Sequence, residues 1–241
     1  MIFMLVLTAL PALAQTASAQ APTLPVDLKQ VAGGSSSPVQ IIVLLTLLSF
    51  VPAILISMTC FTRLIVVFHF LRQALGTQEA PNNQILIGLS LFLTLFVMGP
   101  VFSQVNKDAL QPMLAGEITQ TEAISRAITP FRSYMLKHTR EHDLALFLKL
   151  SGSARPQTAD DVPISVLVPA FMISELKTAF QIGFILFIPF LIIDMAVSSV
   201  LLSMGMMQLP PVIVSMPLKL LLFVMVDGWY LIVGSLVKSL I

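Results

Sequence analysis

"SELKTAFQIGFILFIPFLIIDMAVSSVLLSMGMMQLPP", residues 174–211, decides the fold. Between Lys177 and Lys219 the only charged residue is Asp194. Backbone groups in hydrocarbon have to be satisfied internally, and this run is too continuous for a barrel strand, so it reads as helix. Taken as one helix, residues 164–203 would be about 60 Å long, against a hydrocarbon core of about 30 Å. A helix apolar all round is a buried helix, in lipid or in protein, and its sequence does not distinguish the two. Pro189 is a candidate kink. "SMGMMQLPP", residues 203–211, ends the run, because Pro210-Pro211 cannot continue a helix. Its thioethers are unusual in a turn that would ordinarily meet water.

Three further runs share this character. No residue is ionised between Lys29 and Arg63, or from Ala80 to Asn106. The last run, Leu220–Ile241, holds only Asp227 and Lys238. Each is long enough for a spanning helix. Gly76 suits a helix C-cap and Pro81 a new start, giving a first hairpin over 39–103. The methionine turn closes a second hairpin over 162–241. The expected fold is all-α: two long apolar helical hairpins and a polar helical insert, with four spans by hydropathy.

The insert, 104–161, balances seven Lys/Arg against seven Asp/Glu. Thr119 and Glu122 fit a capping box. In "FRSYMLKHTREHDLALFLKL", residues 131–150, Phe131, Tyr134, Met135, His138 and His142 recur at helical spacing. The insert reads as a small water-exposed helical region. At the other end, residues 1–19 resemble a cleaved secretory signal, with Ala12-Leu13-Ala14 and Ala17-Ser18-Ala19 as small-residue cleavage sites. The alternative, a short first transmembrane helix, is disfavoured because the apolar core is shorter than the ~20 residues of a span. Residues 20–38, rich in Pro, Gly and Ser, read as a linker.

Composition agrees. Of 241 residues, 56% are hydrophobic and 10% charged, with mean hydropathy +0.94; soluble domains carry roughly 25% charged residues. A net charge of +1 argues against an electrostatic nucleic-acid binder. Cys60 is the sole cysteine, so no intrachain disulfide and no cysteine metal cluster can form.

Catalytic patterns are few. His138-Thr139-Arg140-Glu141-His142 fits H-x-x-E-H, and on one helix the two imidazoles would share a face as zinc ligands. A membrane zinc hydrolase is therefore one alternative function. P-loop, G-x-S-x-G and G-x-G-x-x-G patterns are absent from the sequence. A small-molecule transporter is a second alternative, but the two hairpins lack the mutual similarity that repeat-built transporters show.

Charges inside the apolar runs say more. Glu175, Lys177, Asp194, Lys219 and Asp227 are expected to be buried, and a charge at the membrane centre costs about 2.5–3.5 kcal/mol on insertion scales. Glu175 and Lys177 are two apart and do not share a helix face, so each needs a partner elsewhere. The expected structural pair is Glu175 with Lys219, within or between subunits.

Several long blocks, in order, resemble the FliP family of flagellar biosynthesis proteins, whose virulence relatives are the SctR-type export-gate proteins of type III secretion. They are 58–102, 134–147, 174–195, the methionine turn and "MPLKLLLFVMVDGW", residues 216–229. The resemblance implies a non-enzymatic, cofactor-free subunit of a pentameric homo-oligomeric ring in the bacterial inner membrane, at the flagellar basal body. It implies FliQ and FliR as partners, FlhB and FlhA joining the assembly, and unfolded flagellar subunits as cargo. The processed N-terminus and the insert would lie on the periplasmic side, with much of the chain raised in a protein cone. It places a pore gasket at Gly205, Met206, Met207 and Gln208, with Met204 less suited. Gln208 departs from the family's third methionine, and the resemblance maps an intersubunit ion pair onto Glu175 and Lys219.

Overall fold

The computed structural model describes residues 38–77, 80–152, 158, 161–206 and 208–241. The expected signal over 1–19, the linker up to residue 37 and Met207 lie outside the described residues. Every regular element among the described residues is a helix, which meets the all-α expectation. The chain divides into two compact units, residues 1–50 and 51–241. Helix α1, Pro38–Ser57, crosses that boundary.

Within the second unit, α2 (Phe61–Ala74) and α3 (Asn83–Val97) form an antiparallel pair. The turn behaves as its residues require. Gly76 adopts φ +74°, the left-handed conformation that suits glycine at a helix end. The restart comes two residues after Pro81, because the Asn82 side chain accepts from the Gln84 amide at 3.0 Å and caps α3. The first apolar run is two helices rather than one. It breaks at Met58-Thr59-Cys60, where the Thr59 hydroxyl turns back on the backbone, donating to Ile56 O at 3.3 Å.

α3 ends at Val97 and α4 (Gly99–Val105) follows, with Pro100 in its first turn. A π-helical turn, Asn106–Leu110, and α5 (Gln111–Leu114) continue the path. From α3 to the segment ending at Leu114 the axis bends by 58°. In the insert, α6 (Gln120–His138) and α7 (Glu141–Leu150) both pack on the long helix α8 (Ile164–Ser203). The Thr119 hydroxyl caps α6 by accepting from Glu122 N at 3.3 Å. The Glu122 carboxylate does not complete the box; it accepts from Arg126 at 2.6 Å.

α8 runs unbroken for 40 residues through Pro169 and Pro189. α2 lies along its middle, from Glu175 past Gly183, and α9 (Pro211–Met225) folds back along its end. α10 (Gly228–Lys238) leaves α9 at 65°, around Asp227 in the left-handed region. The core runs along the α2–α8 seam, with Leu64, Val67, Phe68, Leu71, Leu167 and Phe171 buried. Phe190, Phe223 and Trp229 extend it, with Phe223 and Trp229 edge to face at 5.5 Å.

Four spans were expected from hydropathy. One described helix, α8, is long and apolar enough to cross a bilayer, and the two bent pairs raise that to three if each counts as one span. With each bent pair taken as one span, the difference from four is the first run, whose helix α1 (Pro38–Ser57) is not among these three.

Candidate functional site

α8 carries the features that the sequence singled out, and they fall into three groups along its length. The first surrounds Glu175, which is 0% exposed. Position 175 faces α2, and there the Arg63 guanidinium grips its carboxylate as a fork: Nε donates to Oε2 at 2.8 Å and Nη2 to Oε1. Planar bidentate geometry of this kind is what makes arginine suited to buried carboxylates. The remaining Arg63 nitrogen, Nη1, donates to the Ser239 carbonyl at 3.2 Å and hydroxyl at 3.4 Å, just beyond α10. One buried pair thus ties α2, α8 and the end of α10 together. Next to it, Ser174 donates to Asp143 Oδ2 at 2.7 Å and accepts from the Arg140 amide at 3.0 Å, which docks the start of α7 on α8.

The second group surrounds Asp194. Lys219 on α9, 2% exposed, donates from Nζ to Asp194 Oδ2 at 2.6 Å and to Ala74 O at 3.1 Å. Ser215, one turn earlier on α9, donates to Asp194 Oδ1 at 2.5 Å. The carboxylate therefore has both oxygens occupied, and the ammonium closes on the end of α2.

These two groups correct the expected pairing within the chain. Residues 175 and 194 are nineteen positions apart on one continuous helix, about 28 Å at 1.5 Å per residue. Glu175 cannot reach Lys219 in its own chain, and each has another partner. A Glu175–Lys219 contact between subunits would have to open both closed pairs. Two further charges expected to be buried are exposed on the chain: Lys177 and Asp227. Lys177 is turned some 200° around α8 from Glu175, and Asp227 sits at the α9–α10 corner. Asp194 is half-buried and paired.

The third group is the methionine turn. Gly205 has φ +73°. Met206 N donates to Leu201 O and Gly205 N to Leu202 O, both at 3.0 Å. These two bonds form a Schellman motif, in which a left-handed glycine closes the helix and satisfies its last carbonyls. The motif ends α8 sharply, and Pro211 then opens α9 at its first position, where a missing N–H costs nothing. Methionine side chains stand outward: Met204 is 66% exposed and Met206 40%. Gln208 is exposed as well. On this chain the turn is not buried filler between helices.

The insert separates the two histidines. α6 ends at His138, Thr139 and Arg140 are extended, and α7 starts at Glu141. His138 and His142 therefore lie on different helices and do not share the face that H-x-x-E-H zinc ligation needs. His138 Nδ1 donates to Tyr134 O at 2.9 Å, and its ring lies 4.3 Å from the Tyr134 ring. Burial holds its pKa below the usual imidazole range, and Arg63 and Lys137 act in the same direction. The His142 side chain is 89% exposed. Among the described residues no group of three or more His, Cys, Asp or Glu is arranged to hold a metal.

Sequence reasoning found Glu175, Lys219 and Asp194 as charges in need of partners and missed Arg63, treating it as the edge of a run. The available signal was a cation enclosed by Thr62 and Leu64-Ile65-Val66-Val67, with a buried acid elsewhere and no other way to neutralise it. Ser215 carried no signal, because serine is common in apolar helices.

A model of the FliP family matches residues 44–236. The flagellar biosynthetic protein FliP of Bacillus subtilis (strain 168) is 58% identical over 204 residues, 85% of this chain and 92% of that protein. The flagellar biosynthetic protein FliP of Pectobacterium carotovorum is 56% identical over 201 residues, 83% of this chain and 78% of its own length. That of Aquifex aeolicus (strain VF5) is 47% identical over 217 residues, covering 89% and 91%.

Proposed function

The chain belongs to the FliP family, and from that premise we propose that it is the core pore-forming subunit of the flagellar type III protein export gate. As a family member it is a component of the flagellar export apparatus. The finer reading is that copies form a ring in the bacterial inner membrane, pentameric by resemblance, which passes unfolded flagellar subunits and acts without catalysis of its own. FliQ, FliR, FlhB and FlhA are the proposed partners. The insert and the processed N-terminus would face the periplasm.

The observation that carries this reading is the exposed methionine turn, held sharply by Gly205 at the end of an unbroken 40-residue helix. Methionine is apolar, unbranched and adaptable. A ring of such side chains can close on itself and part around chains of any sequence, which suits a gate for unfolded protein better than rigid aromatic or branched residues would. The fixed helix end matters as much, because a seal of flexible side chains needs a backbone that places every copy at one height. Gly205, Met206 and Met207 are the proposed gasket, with Gln208 adding a polar group at its edge.

Deletion of the gene tests the reading. Secretion of hook and filament subunits into the medium should stop and return when the wild-type chain is supplied. Undiminished secretion in the deletion strain would contradict it.

A further inference from the structure

The closed pairs Arg63–Glu175 and Lys219–Asp194 leave three charges over on the apolar helices: Lys177, Asp227 and, at the C-terminal end of α10, Lys238. Lys177 and Asp227 are both exposed, and no hydrogen bond or ion pair joins either side chain to another described residue. The Lys177 face carries one further polar side chain, Gln181, which accepts from Arg140 Nη2 at 2.5 Å, and is otherwise apolar. At 100° per residue, Ile173, Phe180, Phe184, Ile188 and Met195 all lie within about 60° of Lys177 on α8, and all are exposed. The packed residues Glu175, Phe190 and Leu201 lie on the other side of the helix. Around Asp227, the surface of α9 and α10 exposes Leu221, Val224, Met225 and Tyr230.

Lipid cannot cover the α8 stripe from end to end, because a helix of about 60 Å is twice the hydrocarbon thickness. Protein has to cover the remainder. The covering surface should be apolar and should carry one anion, since an uncompensated cation in such a contact is costly. The α9–α10 corner of the same chain has that character. Asp227 is also unused locally: an aspartate preceding a helix ordinarily accepts from the N2 or N3 amide, whereas Asp227, at φ 53°, makes no such side-chain bond to α10. One chain thus bears an apolar face with a lone cation and a different apolar face with a lone anion. A contact between two unlike faces is heterologous, the kind that closes into rings.

We propose that the Lys177 face of α8 docks against the Asp227 corner of a second copy of this chain, with Lys177 and Asp227 forming the ion pair that sets the register between copies. The inference rests on the ring reading above. Two differently tagged copies, one Lys177→Cys and one Asp227→Cys, would be co-expressed and oxidised in membranes; Cys60 is fully buried and does not compete. A cross-linked product bearing both tags is expected, absent when either variant is expressed alone. Lys177→Asp and Asp227→Lys should each lower the assembled fraction several-fold on native gels, and the double exchange should restore it. If the wild-type chain assembles but gives no mixed cross-link and no rescue by exchange, the docking is overturned while the ring reading stands. Cross-linking confined within one chain carrying both cysteines would also overturn it. A wild-type chain that forms no oligomer would fail the ring reading itself.

Discussion

Arg63 shows what a single residue can hold. Its guanidinium is 4% exposed and Glu175 is fully buried. Breaking a buried pair by removing one partner strands a charge in a medium that cannot solvate it, which costs about 3–5 kcal/mol. Arg63→Ala should lower the unfolding midpoint in detergent by stranding the carboxylate, and Glu175→Gln by stranding the guanidinium and setting an NH2 against one of its donors. The double variant Arg63→Ala/Glu175→Gln strands no charge and should cost less than the two single losses summed; strictly additive losses would show that the pair is not the source. His138 gives a pH prediction. Its folded pKa is depressed, so above the ordinary imidazole pKa of about 6.5 the ring is neutral in both folded and unfolded chains. As pH falls through that value the unfolded chain takes up the proton first, and stability declines until the pH is below the folded pKa. His138→Gln should flatten unfolding midpoints between about pH 7 and 5; an unchanged slope would exclude His138 as the cause. At this scale the sequence showed which charges needed partners. It did not show which partners, since pairing depends on the seam that brings α2 to α8.

Among the elements, α8 was the most legible, because nothing in residues 164–203 interrupts an apolar helix except two prolines that it absorbs. The breaks were least legible. Hydropathy read 39–103 as two runs, whereas the chain turns at Thr59 and again at Met98–Gly99, through side-chain competition and an early proline that hydropathy does not register. Likewise, H-x-x-E-H looked like one helical face until the backbone extended at Thr139 and Arg140. Two glycines of α8 and its end should respond to alanine for different reasons. At Gly183 a Cβ would lie 2.5 Å from the Phe70 ring and 2.9 Å from its Cβ. Overpacking of this kind costs about 1–3 kcal/mol and should be relieved in large part by Phe70→Ala, which removes the two nearest atoms, Cδ2 and Cγ. At Gly205 a Cβ meets nothing within 4 Å, so Gly205→Ala should cost only the left-handed backbone, about 1–2 kcal/mol, with no rescue from any neighbour. Thermal unfolding of the single and double variants distinguishes the two.

The whole molecule is defined by what it leaves uncovered. Its core is narrow, along the α2–α8 seam, while α8, α9 and α10 turn broad apolar faces outward. Among the described residues, a single helix meets the length and composition test for a membrane span without being bent. A soluble monomer rarely exposes apolar patches of more than a few hundred Å², so this surface is made for lipid and for other chains. Composition announced that surface; it could not divide it between the two, because burial in hydrocarbon and burial in protein select the same residues. The methionine turn sits at the point where that division matters most, at the tip of the longest described helix. Single-channel or flux recordings of the reconstituted export-gate assembly, wild type against Met206→Ala/Met207→Ala, test the gasket directly. The account predicts a closed wild-type assembly and a clear rise in conductance to small ions once the thioethers are removed; conductance unchanged from wild type in a correctly assembled variant would contradict it.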